Sequence, residues 1–566
     1  MIEFSKVKIQ NILAFAVILF TWSCGDGDKK EAKQEVVLWH PYNDSSEVAA
    51  NADHESEQMR YKFIQSKVLD KNEVFRPLYE EVSKFTEDAY KMMKPLVIEQ
   101  NIPSIQKSVS EGKFSYEDLV LFYLYRIYQY ELDNQTTLNT VIALNEKVVG
   151  QARELDEQRK ANPSEKQHPI FGMPILLKDN INTDGMRTTA GAVALLANEV
   201  DDAFIVERLK SKGALILGKV NLSEWANFIC DGCPNGQSAV GGQTLNPYGR
   251  REFDTGGSSA GSGTSTAANY AVAAIGTETS GSILSPSSQN SVVGLKPTIG
   301  LLSRTGIVPI SSTLDTPGPM TKNVTDNAIL LDALLGKDDQ DSKSVEGPND
   351  ILATYQNPKP VGEIRLGAIK SLMAEDSIYA VTVSKLKEAG AEIVEFVPPE
   401  VEMRGFLSVL NIDMKNDLPA YLEAHVKNTE GVEVRSVADV VRFNTRDSAV
   451  RIPYKQEQLD SILTDPTTEE ELIEIKERLQ KNGRAFFNAA LDKYNLDAIL
   501  SKNNYHAGYA AMAEYPALTV PMGYKESGEP VSLTFIAKPF QEALLLRLGK
   551  SFEDMTAARR LPDGYK

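Results

Sequence analysis

The chain has 566 residues, 42% hydrophobic and 24% charged, with 60 Lys and Arg against 78 Asp and Glu for a formal net charge of −18. This is the composition of a globular protein with ample material for a core, and its acidity argues against a nucleic-acid binder, which carries a basic patch or stripe. Three cysteines, Cys24, Cys230 and Cys233, are too few for a disulfide framework.

At the N-terminus, Lys6 and Lys8 precede an apolar run at 12–20, then small residues and Cys24. The run is too short to span a bilayer and has the order of an export signal. The cysteine after it resembles the lipobox cysteine of bacterial lipoproteins, which is acylated. That resemblance implies an export signal at 1–24, a possible lipidation site at Cys24, and an exported, periplasmic or membrane-anchored address. It also implies membrane contact only through an N-terminal lipid anchor. Plain secretion, an uncleaved anchor and no export remain alternatives. The polar, acidic stretch 25–57 lacks apolar surface to bury, so 25–73 is expected to be a tether and 74–566 the folded domain.

Residues 74–101 read as an amphipathic helix ending before Pro103. SYEDLVLFYLYRIYQYE is a second helix, with Ser115 as N-cap and Asp118 in the capping-box position. PILLK is a short buried strand ending in Lys178. A helix near 203–212 exits at Gly213 into a strand at 214–218. IRLGAI, a helix near 376–389 and AEIVEFV make a strand–helix–strand unit. YPALTVPMGY and VSLTFIA are strands, and EALLLRLGKSFEDM is the last helix. Strands alternating with helices predict an α/β fold with a mixed central sheet covered by helices on both faces.

Within that pattern lies DTGGSSAGSGTSTAANYAVAAIGTETSGSI, residues 254–283. Only Asp254 and Glu278 are charged in it, and NYAVAAIGT is small and apolar, unlike a flexible linker. Its many hydroxyls need partners if buried, which suits a structural hydrogen-bond network or a catalytic one equally. A phosphate-cradling loop is excluded, because no G-K-[ST] follows the glycines. G-S-S-A-G at 257–261 matches a nucleophile elbow centred on Ser259. No apolar strand precedes it, and neither His425 nor His506 stands in a recognisable context. Cys230 and Cys233 form a lone C-x-x-C with no other Cys or His nearby to complete a zinc site. A short-range disulfide or two buried thiols are the alternatives, and no metal is expected.

GGSSAGS at 256–262 and GTETSGSI at 276–283 closely resemble the two halves of the amidase signature. Ser258 and Ser282 stand 24 positions apart, and Lys178, in PILLKDN, stands upstream. KVNLSEWANF, GGQTLNPYG, LDTPGPMTKNVTD and YPALTVPMGY are also similar to stretches of that family, and the resemblance covers roughly 102–562. Its flavour is that of the bacterial peptide-amidase-like branch. It implies a single large amidase-signature domain and a hydrolase that cleaves a carboxamide C–N bond of a small-molecule or peptide amide. The reaction would pass through an acyl-serine on Ser282. Ser258, reached through a cis bond expected after Gly257, would bridge to Lys178 as base.

The backbone amides of Thr279, Ser280, Gly281 and Ser282 would form the oxyanion hole, with Ser259 and Thr277 in support and no cofactor or metal. A serine hydroxyl needs a base, and a buried lysine can be one because burial disfavours the ammonium. The tRNA-linked amidotransferase A subunit shares the family, but an envelope address argues against that role. Three departures leave the substrate open: Leu284 replaces a common Arg, Ser280 a common Gly or Asp, and LSKNNYHAGYAAM (500–512) a Pro-Thr-like loop. Two alternatives stand beside this reading: a catalytically silent binding lipoprotein on the same scaffold, and an α/β-hydrolase-type esterase using Ser259.

Overall fold

Eleven strands form one mixed sheet in the computed structural model, which describes residues 36–348 and 350–566. They are β1 Val141–Leu144, β2 Pro174–Lys178, β3 Leu215–Val220, β4 Ala273–Glu278, β5 Val293–Lys296 and β6 Thr316–Thr321. The others are β7 Arg365–Ile369, β8 Glu392–Phe396, β9 Ala498–Lys502, β10 Ala517–Tyr524 and β11 Pro530–Ile536. The spatial order is β1-β3-β2-β4-β6-β5-β10-β11-β9-β7-β8. β3, β2 and β4 run parallel, as do β9, β7 and β8, while the strands between these groups pair antiparallel. Leu38–Lys566 form one unit around this sheet.

Every residue of β2, β3 and β4 is buried. Successive side chains of a strand point to opposite faces, so both faces of the sheet are covered here. Helix α1, Tyr116–Glu131, begins with the full capping box: Ser115 Oγ accepts from Asp118 N, and the Asp118 carboxylate accepts from Ser115 N. Helix α2, Ala260–Ala267, lies over β2, β3, β4 and β6. All eight of its residues are buried, which its Ala, Gly, Ser and Thr composition permits. Helix α3, Leu284–Gln289, packs on β5, β10 and β11. Gly213 stands at φ +79° after the helix Phe204–Ser211, as its sequence position anticipates.

Two expectations need correction. The 74–101 stretch is not one helix. It breaks into Lys71–Phe75, a turn of 3-10 helix at Arg76–Leu78, Tyr79–Val82 and Glu87–Val97. Pro77 lacks the N–H that a continuous helix requires, and Thr86 caps a fresh start by accepting from Ala89 N. Pro103 opens the next helix, Ile102–Ser110, where its missing N–H costs nothing.

The tether expected at 25–73 is folded from residue 38 onward. Trp39, Met59, Tyr61, Phe63 and Ile64 are buried. Asn72 Oδ1 accepts from Leu38 N and Trp39 N, and Asn51 Nδ2 donates to the carbonyls of Met59 and Arg251. Polar side chains here satisfy backbone rather than water, a use that composition hides. The export signal at 1–24, Cys24 and residues 25–35 lie outside the described residues.

Ile64 is fully buried, and its carbonyl accepts from Gln243 N and Asn139 Nδ2. Ile64→Ala is therefore expected to destabilise the fold by about 2–5 kcal/mol, read as a lower midpoint of chemical denaturation. A tether residue would leave the midpoint unchanged.

Candidate active site

The parallel strands β2 and β4 deliver their carboxyl ends to one place, the usual location of sites in α/β sheets. β2 ends in Lys178 and β4 carries Thr277. Lys178 is fully buried. Its Nζ lies 2.7 Å from Ser258 Oγ, 2.8 Å from Thr277 Oγ1 and 3.1 Å from the Thr277 carbonyl oxygen. Burial is the largest influence on the amine and lowers its pKa to about 7, against the opposing pull of Asp315 and Glu278. A lysine in this state exchanges its proton near neutrality.

Ser258 is buried and is held by its backbone as well. The bond before it, Gly257–Ser258, is cis, and its carbonyl accepts from Ser223 N. A Cβ on Gly257 would stand 2.5 Å from Asn235 Oδ1 and 2.6 Å from Ser223 Oγ, so a side chain there would push both groups aside. Ser259 N donates to the Ser282 carbonyl, so this bond joins the two halves of the 254–283 segment. Ser259 itself is fully buried. Its Oγ donates to the Thr277 carbonyl and accepts from Thr277 N. Its hydroxyl is thus spent on fastening α2 to β4.

The turn at 279–282 connects β4 to α3. The Glu278 carboxylate accepts from Ile283 N at 2.7 Å and Leu284 N at 3.0 Å, capping the entry to α3. The four preceding amides, of Thr279, Ser280, Gly281 and Ser282, find no acceptor among the described residues. Gly281 sits at φ +90°, a conformation that suits glycine. Ser282 is only 9% exposed. The departing segment 500–512 lies against this turn. A Cβ on Gly281 would stand 3.2 Å from Asn504 Nδ2, and one on Gly508 would stand 3.7 Å from Ser280 Oγ. The arrangement therefore combines a buried amine, two hydroxyls and a row of open backbone donors, the components of acyl transfer.

Several participants had no assignment from sequence. Asn180 Nδ2 donates to Thr277 Oγ1, two residues beyond Lys178 in the same KDN run. Asp315 accepts from Thr279 Oγ1 at 2.5 Å and lies in the LDTPGPM stretch. Trp225, Ala226 and Asn227, which begin two residues after Ser223, take left-handed φ of 52°, 54° and 73°. Three such non-glycine residues in a row are rare, and no sequence pattern signals them.

The two histidines stand apart from this chemistry. His506 Nδ1 contacts Ser501 Oγ at 2.6 Å, its ring packs near Phe486 and Tyr509, and burial lowers its pKa to about 4. His425 lies beside the Tyr421 ring. Cys230 and Cys233 are joined as a disulfide, the first of the alternatives. Among the described residues no group of three or more His, Cys, Asp or Glu is arranged to hold a metal ion.

Comparison with known proteins agrees with this geometry. The sequence model of the family described as Amidase matches residues 118–546. A probable amidase of Arabidopsis thaliana is 35% identical over 483 residues, covering 82% of this chain and 91% of that protein. The crystal structure of an amidase family protein from Bacillus anthracis strain Ames superposes with a TM-score of 0.83 at 35% identity, covering 89% of this chain and all of that one. The native peptide amidase of Stenotrophomonas maltophilia gives a TM-score of 0.75 at 35% identity, covering 82% of this chain and 98% of that one. With three quarters of its length in the family match and relatives at 35% identity covering 82% of it, the chain belongs to the amidase family of hydrolases, whose members act on C–N bonds.

Proposed function

We propose that the protein hydrolyses a carboxamide through an acyl-enzyme on Ser282, with Ser258 and Lys178 as its proton relay. One observation carries the reading: a buried lysine amine, its pKa near 7, stands 2.7 Å from Ser258 Oγ and contacts Thr277, which precedes a turn whose four amides find no acceptor among the described residues. Neutral Lys178 takes the Ser258 proton as Ser258 takes that of Ser282. Ser282 Oγ then bonds to the amide carbon, and the carbonyl oxygen gains negative charge. Backbone donors of the 279–282 turn stabilise that charge, and they need no reorganisation because no protein acceptor occupies them. The relay run in reverse delivers a proton to the leaving amine as the C–N bond breaks. Water then adds to the acyl-serine, passing its proton along the same path, and releases the carboxylic acid.

The similarity to the Stenotrophomonas peptide amidase makes peptide amides the first substrates to try. We also propose that the protein is exported and acylated on Cys24. The Cys230–Cys233 disulfide supports an oxidising compartment.

A small fluorophosphonate is expected to leave one adduct, mapped by peptide mass to Ser282, and Ser282→Ala is expected to abolish both adduct and amide hydrolysis. An adduct on Ser259 would instead establish the elbow esterase, and no adduct with probes of several sizes would favour a silent scaffold. Ser259→Ala is expected to keep the Ser282 adduct while costing about 1–3 kcal/mol of stability through its broken bonds to Thr277.

The reactive form of Lys178 is the neutral one. Its fraction grows as pH rises through about 7, so kcat/KM is expected to climb from pH 6 to a plateau above pH 8. Lys178→Met is expected to lower kcat by roughly a thousandfold and to remove this acid limb, about the loss seen when a general base is deleted. Partition of the full chain into a detergent phase, lost in Cys24→Ser, checks the acylation.

A further inference from the structure

We infer that Asp315 is a positioning residue for the reaction: it fixes the oxyanion turn through Thr279 and supplies the counter-charge that keeps Lys178 a usable base. This inference rests on the reading of Ser282 and Lys178 given above. Asp315 immediately precedes β6, the strand paired with β4 in such a register that Glu278 faces Thr316. Its Oδ1 accepts from Thr279 Oγ1 at 2.5 Å, at the first residue of the turn. Its Oδ2 accepts from Ile310 N at 2.8 Å and Ser311 N at 2.9 Å. One carboxylate thereby ties the turn to the 310–315 loop, and both oxygens are committed in fixed directions. Ser311 is anchored in turn, donating from Oγ to Asp413 Oδ2, and Asp413 pairs with Lys476. Lateral drift of the 279–282 amides is opposed from this side by Asp315 and from the other by Glu278, which caps Ile283 and Leu284.

The second role is electrostatic. Lys178 sits on β2 with two carboxylates acting on it, Asp315 ahead of β6 and Glu278 at the end of β4, and Asp315 is the stronger influence. Glu278 is itself faced by Lys296 from β5. Arg304 faces Asp315 from the neighbouring loop. Burial alone drives a lysine amine toward permanent neutrality, which makes it a weak base. Burial raises the Asp315 carboxyl itself to about 6, so above that pH its carboxylate restores proton affinity to Lys178, which then both accepts and returns a proton near pH 7. Asp315 also lines a cleft of about 590 Å³, together with Arg304, Ser311 and Asp417.

Two variants separate the roles, measured on the full chain with an amide that the wild type hydrolyses and with the fluorophosphonate. Thr279→Val removes the hydroxyl and keeps the charge. It is expected to lower kcat on the order of tenfold with little change in KM and no movement of the acid limb, because the misplaced donors act in the transition state. Asp315→Asn removes the charge, and its amide NH2 cannot accept where a carboxylate oxygen did, so it loosens the turn or the 310–315 loop as well. It is expected to lower kcat and to move the acid limb of kcat/KM downward by on the order of one pH unit, since Lys178 loses its main counter-charge. A wild-type kcat in Thr279→Val, or an acid limb in Asp315→Asn that stays in place or moves upward, overturns the inference. Should Asp315→Asn not fold, Thr279→Val decides the positioning role alone. A wild-type enzyme that gives no Ser282 adduct removes the reading beneath both.

Discussion

A lysine amine shut away from water at the end of a central strand is the constraint on which the rest of this structure depends. An amine there needs hydrogen-bond partners and a reason to be uncharged or a carboxylate to balance it. Thr277 supplies two oxygens and Ser258 a third, while Asp315 and Glu278 provide negative charge. Each of those groups must be held in turn. Thr277 is held by Ser259 and Asn180, Ser258 by Ser223, and Asp315 by its three donors. The density of hydroxyls around residues 254–291 follows from this chain of requirements.

The same requirement explains the small residues. α2 lies directly over β2, β3 and β4 with no residue larger than Thr, which lets its N-terminus and the Ser258 backbone reach the strand ends. Gly261 shows how close the approach is: a Cβ there would stand 2.3 Å from the Asn221 carbonyl oxygen, which accepts from Gly261 N. A segment whose serines and glycines suggest a linker is thus closely packed. Its glycines serve close contact, with backbone at Gly256 and Gly261 and with side chains at Gly257 and Gly276.

Much of the architecture was legible because it rests on local signals. Alternating apolar runs and helical periods marked β2, β7, β8, β10 and β11, and Ser115 with Asp118 announced the start of α1. The residues of the site were legible only through their resemblance to the amidase signature, since neither Lys178 nor a serine in a serine-rich run stands out alone. Three features escaped. The 38–73 segment is polar in composition but buries Trp39, Phe63 and Ile64 through contacts made far along the chain, such as that with Gln243. Asp315 precedes a strand that pairs out of chain order, so its meeting with Thr279 is a product of topology. The left-handed run at Trp225, Ala226 and Asn227 goes against local preference, so no local signal announces it.

The central claim is that Lys178 is a neutral amine at working pH. Its most direct test is the titration of lysine side chains labelled with 15N at Nζ, with the Lys178 resonance assigned by its absence in Lys178→Met. The account predicts that this resonance titrates near pH 7, apart from the surface lysines near 10. A Lys178 that titrates with the surface lysines would be a permanent ammonium in the working range and would contradict the relay.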